Sequence, residues 1–342
     1  MQIRSRAVRP LFSWAVLGVI WAVALPLVSG CGGAQPAVSA PPAPAVDLDG
    51  DAIALLPPGP VVVGLVDVHA LCANPTLGPQ IASLVDSRMP LGEGAGFVAS
   101  RDLDQVILAS YSLASADEVA ILRGRFDAKA VDRAAGKSPA QPHSSGFVAA
   151  TPYAGFTMYT VGDIGFAVLT SKTAVAGSGP GLRHTLDRIK DGRIHPELAE
   201  PMMETLRTKG VVAALAADFG GSSLASVPGL PIPPWVGAVK TVQGTAALQP
   251  PGVQVSGSVS YDSPQRASSG ADSMRQLLNL VNTMAGAGVL PKLLNLVIQA
   301  DGVNVRLAFA VEESALRSLL QRVPEWLPSP NLGAARASNE QH

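Results

Sequence analysis

The sequence predicts an α+β fold: antiparallel sheets with helices packed on one side, set out as two tandem β-(α)-β-β-α-β-β-α units. Three observations lead there. Apolar runs of strand length recur along the chain and alternate with stretches of helical period. Gly162-Asp163 and Asp301-Gly302 sit between such runs, as hairpin turns do. Landmarks also repeat: strand starts at 118 and 253, cap positions Asp127 and Asp262, and strand starts at 156 and 294 and at 164 and 303 lie 135 to 139 residues apart.

The elements follow in order. Val61–Val68 is an apolar run of strand length, and Pro79–Arg88 has the pattern of a short helix. Gln105–Ser110 and Glu118–Phe126 pair across a polar turn. Asp127 is placed to cap a helix over Ala128–Lys137. Phe156–Thr160 and Ile164–Thr170 form a hairpin, and Ala174–Ala176 adds a short strand. Leu182–Lys190 and Pro196–Lys209 are helices. The second unit opens with Val211–Phe219, and Lys240–Gln249 pairs with Val253–Tyr261. Asp262 precedes a helix in which Met274, Leu277, Leu278, Val281 and Met284 recur at helical spacing. Leu294–Ala300 and Val303–Val311 form a hairpin, and Glu312–Arg322 is the last helix.

The N-terminus reads as an address. Arg4, Arg6 and Arg9 precede an uncharged apolar stretch from Leu11 to Val28. Val28-Ser29-Gly30-Cys31 then resembles the lipobox of bacterial lipoproteins. That resemblance covers the first tenth of the chain. It implies cleavage after residue 30, diacylation of the Cys31 thiol and usually acylation of the new amine. Gly32, where an aspartate would signal inner-membrane retention, implies outer-membrane delivery. An uncleaved membrane anchor of about 18 residues is the alternative, and Pro26 with the small residues after it favours cleavage. The expected organisation is a signal peptide over 1–30, a lipidated Pro/Ala-rich tether over 31–54, repeats over 55–209 and 210–327, and a disordered tail over 328–342.

Composition excludes several function classes. The chain carries 25 basic and 26 acidic residues, and removal of the signal's three arginines leaves a net charge of −4. No nucleic-acid partner is expected from such a balance. Two cysteines, one of them the lipidation candidate, cannot build a disulfide scaffold. Cys72, near His69, reads as a core residue. Asp47, Asp49 and Asp51 have calcium-loop spacing, but Ala52 and Pro58 stand where that loop needs Gly and Glu, so the segment reads as a solvated turn. Gly177-Ser178-Gly179-Pro180-Gly181 before a helix lacks dinucleotide-binding spacing and reads as a flexible helix entry. His184 and His195 do not share a helical face, and no metal site is expected. Neither a nucleophile elbow nor a zinc-protease motif occurs.

The expectation is a lipid-anchored envelope protein with a structural or binding role, no catalytic residues and no cofactor. A carrier of lipid or another hydrophobic ligand is one alternative, and an enzyme without a linear motif is another. The membrane is the expected partner through the anchor, with a protein or hydrophobic ligand besides. The proline-locked apolar loop between Leu224 and Val236 is the candidate contact, through Leu230, Ile232 and Trp235.

Overall fold

The computed structural model describes residues 47–87, 95–113, 117–136, 148–161, 164–220, 234–286 and 291–326. The strands are β1 (Val62–Asp67), β2 (Leu103–Ser110), β3 (Glu118–Gly124), β4 (Val148–Tyr153), β5 (Phe156–Val161), β6 (Ile164–Val168), β7 (Thr173–Ser178), β8 (Ala213–Asp218), β9 (Val239–Gln249), β10 (Gly252–Tyr261), β11 (Leu293–Asp301) and β12 (Asn304–Glu312). They form one antiparallel sheet in the order β11-β12-β10-β9-β8-β1-β2-β3-β7-β6-β5-β4. Both halves thus contribute to a single sheet, joined where β1 pairs with β8 from Val62↔Ala217 to Val66↔Ala213.

The helices are α1 (Val68–Ala73), α2 (Gly78–Asp86), α3 (Ala99–Asp102), α4 (Ala128–Gly136), α5 (Gly179–Lys190), α6 (Glu200–Leu206), α7 (Pro234–Gly237), α8 (Pro264–Gly286) and α9 (Glu313–Trp326). They do not keep to one side, which corrects the expected layering. Register assigns every strand residue to a face, because directly paired residues point the same way. On one face Val63, Leu65, Ile107, Val119, Ile121 and Val175 pack with Leu182 and Leu186 of α5 and with Met202 and Leu206 of α6. On the opposite face Val259 and Val305 pack with Ala267, Ala271 and Met274 of α8. Tyr159, also on that face, packs with Val131, Ala134 and Ala135 of α4. We call these the α5 face and the α8 face.

The strand sequences explain the two layers. In β1, β2, β3 and β7 both parities are largely apolar, the pattern of strands covered on both faces. In β9 and β10 the parities separate. Thr241, Gln243, Thr245, Ser256, Ser258 and Ser260 lie on the α5 face, and Val242, Val253, Val255 and Val259 lie on the α8 face. Among the described residues that polar surface makes short side-chain bonds of its own, such as Thr245 with Ser256 at 3.1 Å and Ser260 Oγ to Asn304 at 2.6 Å.

Local capping sets several boundaries. The run Val61–Val68 splits because Asp67 accepts the Ala70 N–H at 2.7 Å and starts α1 at Val68. Asp127 caps α4 as expected, accepting the Ala130 N–H at 3.1 Å. The cap of α8 is Ser263, whose hydroxyl accepts the Arg266 N–H at 3.3 Å, whereas Asp262 pairs with the Arg266 guanidinium at 2.6 Å. No helix among the described residues is long and apolar enough to cross a membrane.

Candidate functional site

The α8 face contains the feature that most resembles a binding site. α8 lies over β10, β11 and β12, and α4 lies beside β4 and over Tyr159 of β5. Between them, the main helical neighbour of β1, β8 and β9 is α6, on the other face. The floor is apolar: Val66, Val106, Leu108, Leu122, Leu215, Val255, Leu307 and Phe309 are all half-buried. Gly64 and Gly244 lie in one cross-strand row with Leu108 and Leu215. A Cβ placed on Gly64 would meet only the adjacent strand, at 3.7 and 3.8 Å. One on Gly244 would meet only the Ser256 carbonyl, at 3.6 Å. Gly64 itself is buried and Gly244 is half-buried, and among the described residues no helix atom lies within 4 Å of a Cβ at either position.

The walls follow from the helices. Arg275 donates to the Ile298 carbonyl at 3.1 Å, and Asn282 bonds both polar backbone atoms of Leu293, so that flank of α8 faces β11 at the sheet edge. Ala267, Ala271 and Met274 point down into the core. By the 100° step of the helix, the opposite flank carries Leu277 and Met284 toward the sheet centre, and Leu280 points away from the sheet. Leu277 is 46% exposed and Leu280 56%. One end is closed. α9 leaves β12 and meets α2, which follows β1 and α1. β12 and β1 are four strand spacings apart, about 19 Å, and the 14 residues of α9 span about 21 Å. The result is an apolar trough along the strand direction, closed at the α2–α9 end.

At the other end stands Glu118, paired with Ser110 and sharing the trough's face with Ala120 and Leu122. It is half-buried, and among the described residues no hydrogen-bond or ion-pair partner reaches its carboxylate. Burial, with neighbouring Asp117 adding to it, pushes the Glu118 carboxyl above the usual range.

A second polar constellation closes the α5 face. Asp49 accepts hydrogen bonds from Thr170 and Thr173, each at 2.6 Å, and lies 3.5 Å from Arg123. Those two hydroxyls, more than the guanidinium, hold the Asp49 carboxyl below its ordinary value. Arg123 also donates to the Leu48, Asp49 and Gly50 carbonyls and to Thr173. Asp51 caps the 3-10 turn Ala52–Leu55 and pairs with Arg207 at 2.8 Å. Residues 47–51 are an exposed turn, as expected, but one that is also clasped to the sheet, and Ala52 through Leu56 behind it are buried. A cavity of about 340 Å³ beside the clasp is lined by Arg123, Arg207, Gln105 and Leu65. Its charges are already paired, and the clasp carboxylates are engaged by hydroxyls and guanidinium groups rather than turned on a common point. Among the described residues no group of three or more His, Cys, Asp or Glu side chains gathers as a metal site would.

The remaining sequence candidates fall out as follows. Cys31, Leu230 and Ile232 lie outside the described residues. Trp235 lies in α7 and packs against the α8 core. Cys72 is in a helix, and burial, aided by Asp86, raises its thiol above the ordinary value. His195 pairs with Glu197 at 3.0 Å, and Glu197 also holds the buried Arg188 at 2.8 Å. The Gly177–Gly181 stretch is a close-packed helix entry, not a flexible one. Ser178 accepts the Gly181 N–H at 3.1 Å, and a Cβ on Gly177 would come within 2.2 Å of the Glu118 carbonyl.

No family model matches the chain, and no curated protein does. Among solved structures, the chain is similar to crystal form I of TP0453, with a TM-score of 0.50 and 14% identity over 82% of this chain and 99% of that one. Crystal form III of the same protein gives a TM-score of 0.49 and 12% identity over 78% and 96% of the respective chains. The likeness to crystal form I is one of fold: a mixed α+β architecture that spans most of both chains.

Proposed function

We propose that this is a lipid-anchored protein of the bacterial envelope whose body holds an apolar chain, without catalysis, in the trough on the α8 face. The observation that carries the reading is the run of half-buried apolar residues on that face, Val66, Val106, Leu108, Leu122, Leu215 and Val255, with room left at Gly244 and the exposed Leu277 beside them. Apolar residues left half-open along a face gain roughly 25 cal/mol for each Å² that a ligand covers. Native mass spectrometry with lipid extraction tests it on the chain carrying Cys31→Ser. An apolar adduct is expected, and Gly244→Leu should displace it by filling the floor. A clean apo mass for the chain would refute the reading.

Anchoring rests on Val28-Ser29-Gly30-Cys31 and its basic and apolar leader, and Gly32 favours the outer over the inner membrane. Cys31→Ser should release the protein from washed membranes; retention after salt and carbonate washes would refute the anchor. The strand order also favours descent of the two halves from one duplicated unit. From the β1–β8 seam each half runs outward through three neighbouring strands and then enters a helix on the α8 face. Each then returns from the outer edge to pair its last strand with the third. Superposing β8–β10, α8 and β12 on β1–β3, α4 and β7 tests this. A helix displaced by a full helix diameter, about 10 Å, would reject it.

A further inference from the structure

We propose that Glu118 receives the head of the ligand and that the ligand is an amphiphile with a primary ammonium group; this rests on the trough reading above. The trough has two unlike ends. At the α2–α9 end the strands close under helices. At the other end Glu118 stands beside Ser110 on the trough's face, with no partner among the described residues. Asp117 is adjacent, its carboxylate turned to Ser178 Oγ at 3.2 Å, and adds a second negative charge to that end. The buried guanidinium of Arg188 is committed to Glu197 and belongs to α5 on the other face. A tail entering the trough therefore leaves its head at an unpaired carboxylate in a half-apolar setting, where a cation with N–H donors is favoured and an anion is repelled. From Glu118 to Leu122 the floor runs about 13 Å at strand spacing, long enough for the inner part of an alkyl chain.

Photolabelling tests this on the full chain in membrane vesicles. Two probes of equal length are used, a diazirine-bearing alkylamine and the matching fatty acid, and the labelled peptides are read by mass spectrometry. The alkylamine should label peptides of β2, β3, β8 or β9 in preference to the fatty acid. Glu118→Gln, which keeps the shape and removes the charge, should lower the amine-to-acid labelling ratio by about tenfold. Competition by phosphatidylethanolamine vesicles, but not by phosphatidylglycerol vesicles, would identify the head as a lipid amine. Competition by free alkylamine alone would identify a soluble one, and either supports the assignment. A ratio unchanged by Glu118→Gln, with trough peptides still labelled, would overturn the head-group assignment and leave the trough. Absence of trough labelling by both probes in the unsubstituted chain would overturn the trough itself.

Discussion

Arg123→Met isolates the clasp. Methionine keeps much of the stem's packing and removes only the guanidinium, whose side chain is 17% exposed. The guanidinium donates to the Leu48, Asp49 and Gly50 carbonyls and to Thr173, and it faces Asp49 at 3.5 Å. Buried hydrogen bonds to a charged group contribute about 1.5–3 kcal/mol each. Here several acceptors reach water, which brings each nearer 1 kcal/mol, and the expected loss is about 3 kcal/mol. With a urea m-value of about 3 kcal/mol/M, the unfolding midpoint should fall by about 1 M. Local protection should fall as well, because the Ala54 and Leu56 amides bond only within the turn that the clasp holds, to Asp51 and Ile53 at 3.1 Å each. The assay is urea unfolding followed by circular dichroism, with hydrogen exchange on the same samples. A midpoint unchanged within error, with Ala54 and Leu56 as protected as before, would refute the clasp and leave an ordinary surface ion pair.

Ile121→Ala, at a position with no solvent exposure in the α5-face core, should cost about 3 kcal/mol in the same unfolding assay. Gly177→Ala should destabilise by about 3 kcal/mol or more, because the new Cβ would overlap the Glu118 carbonyl at 2.2 Å. Gly179→Ala, two residues on and with nothing within 4 Å, should be neutral or up to about 1 kcal/mol stabilising; equal effects at both glycines would refute the close-packing argument. Asp102 bonds Arg101, the Val98 N–H and Arg125, and chiefly Arg101 holds its carboxyl down to about 2. A folded-state value below the unfolded one places the contribution above pH 4 and removes it as pH falls toward 2. After allowance for the solvent around both guanidinium groups it amounts to about 1 kcal/mol. Asp102→Asn should therefore lower stability at pH 7 and flatten the decline between pH 4 and 2, and an acid limb identical to that of the unsubstituted chain would contradict this.

The strands were legible from apolar run length, and both dipeptide-marked hairpins occupy adjacent strands, β5–β6 and β11–β12. The layering was also written in the sequence, in a signal that run length alone ignores. Thr241, Gln243 and Thr245 alternate with Val242, Gly244 and Ala246, so one face of β9 meets water. Val62 through Val66 offers no polar parity, so β1 needs cover on both faces. The β4 strand carries little signal of its own, because Ala149, Ala150 and Pro152 have almost no strand propensity, and pairing with β5 makes them extended. The trough and clasp were not legible for a different reason. Glu118 and Leu277 are 159 residues apart in sequence, and Asp49 reaches Thr173 across 124. Only sheet order brings such residues together, and no spacing rule encodes sheet order.

The position of β1 imposes an order on synthesis and folding. The first of the described strands sits inside the sheet, between β2 and β8. Its β2 neighbour follows within about forty residues, but Val62 waits for Ala217. Until that partner arrives, the β1 side facing β8 is a row of unpaired backbone donors and acceptors beside Val63 and Leu65. A chain made from its N-terminus therefore carries a sticky, half-finished edge and can seal it only after two-thirds of its length has followed. Closing so large a loop is slow compared with local hairpins. The interval before sealing is when this protein is most exposed to aggregation, and any factor that shields extended chain during synthesis would act on that one seam.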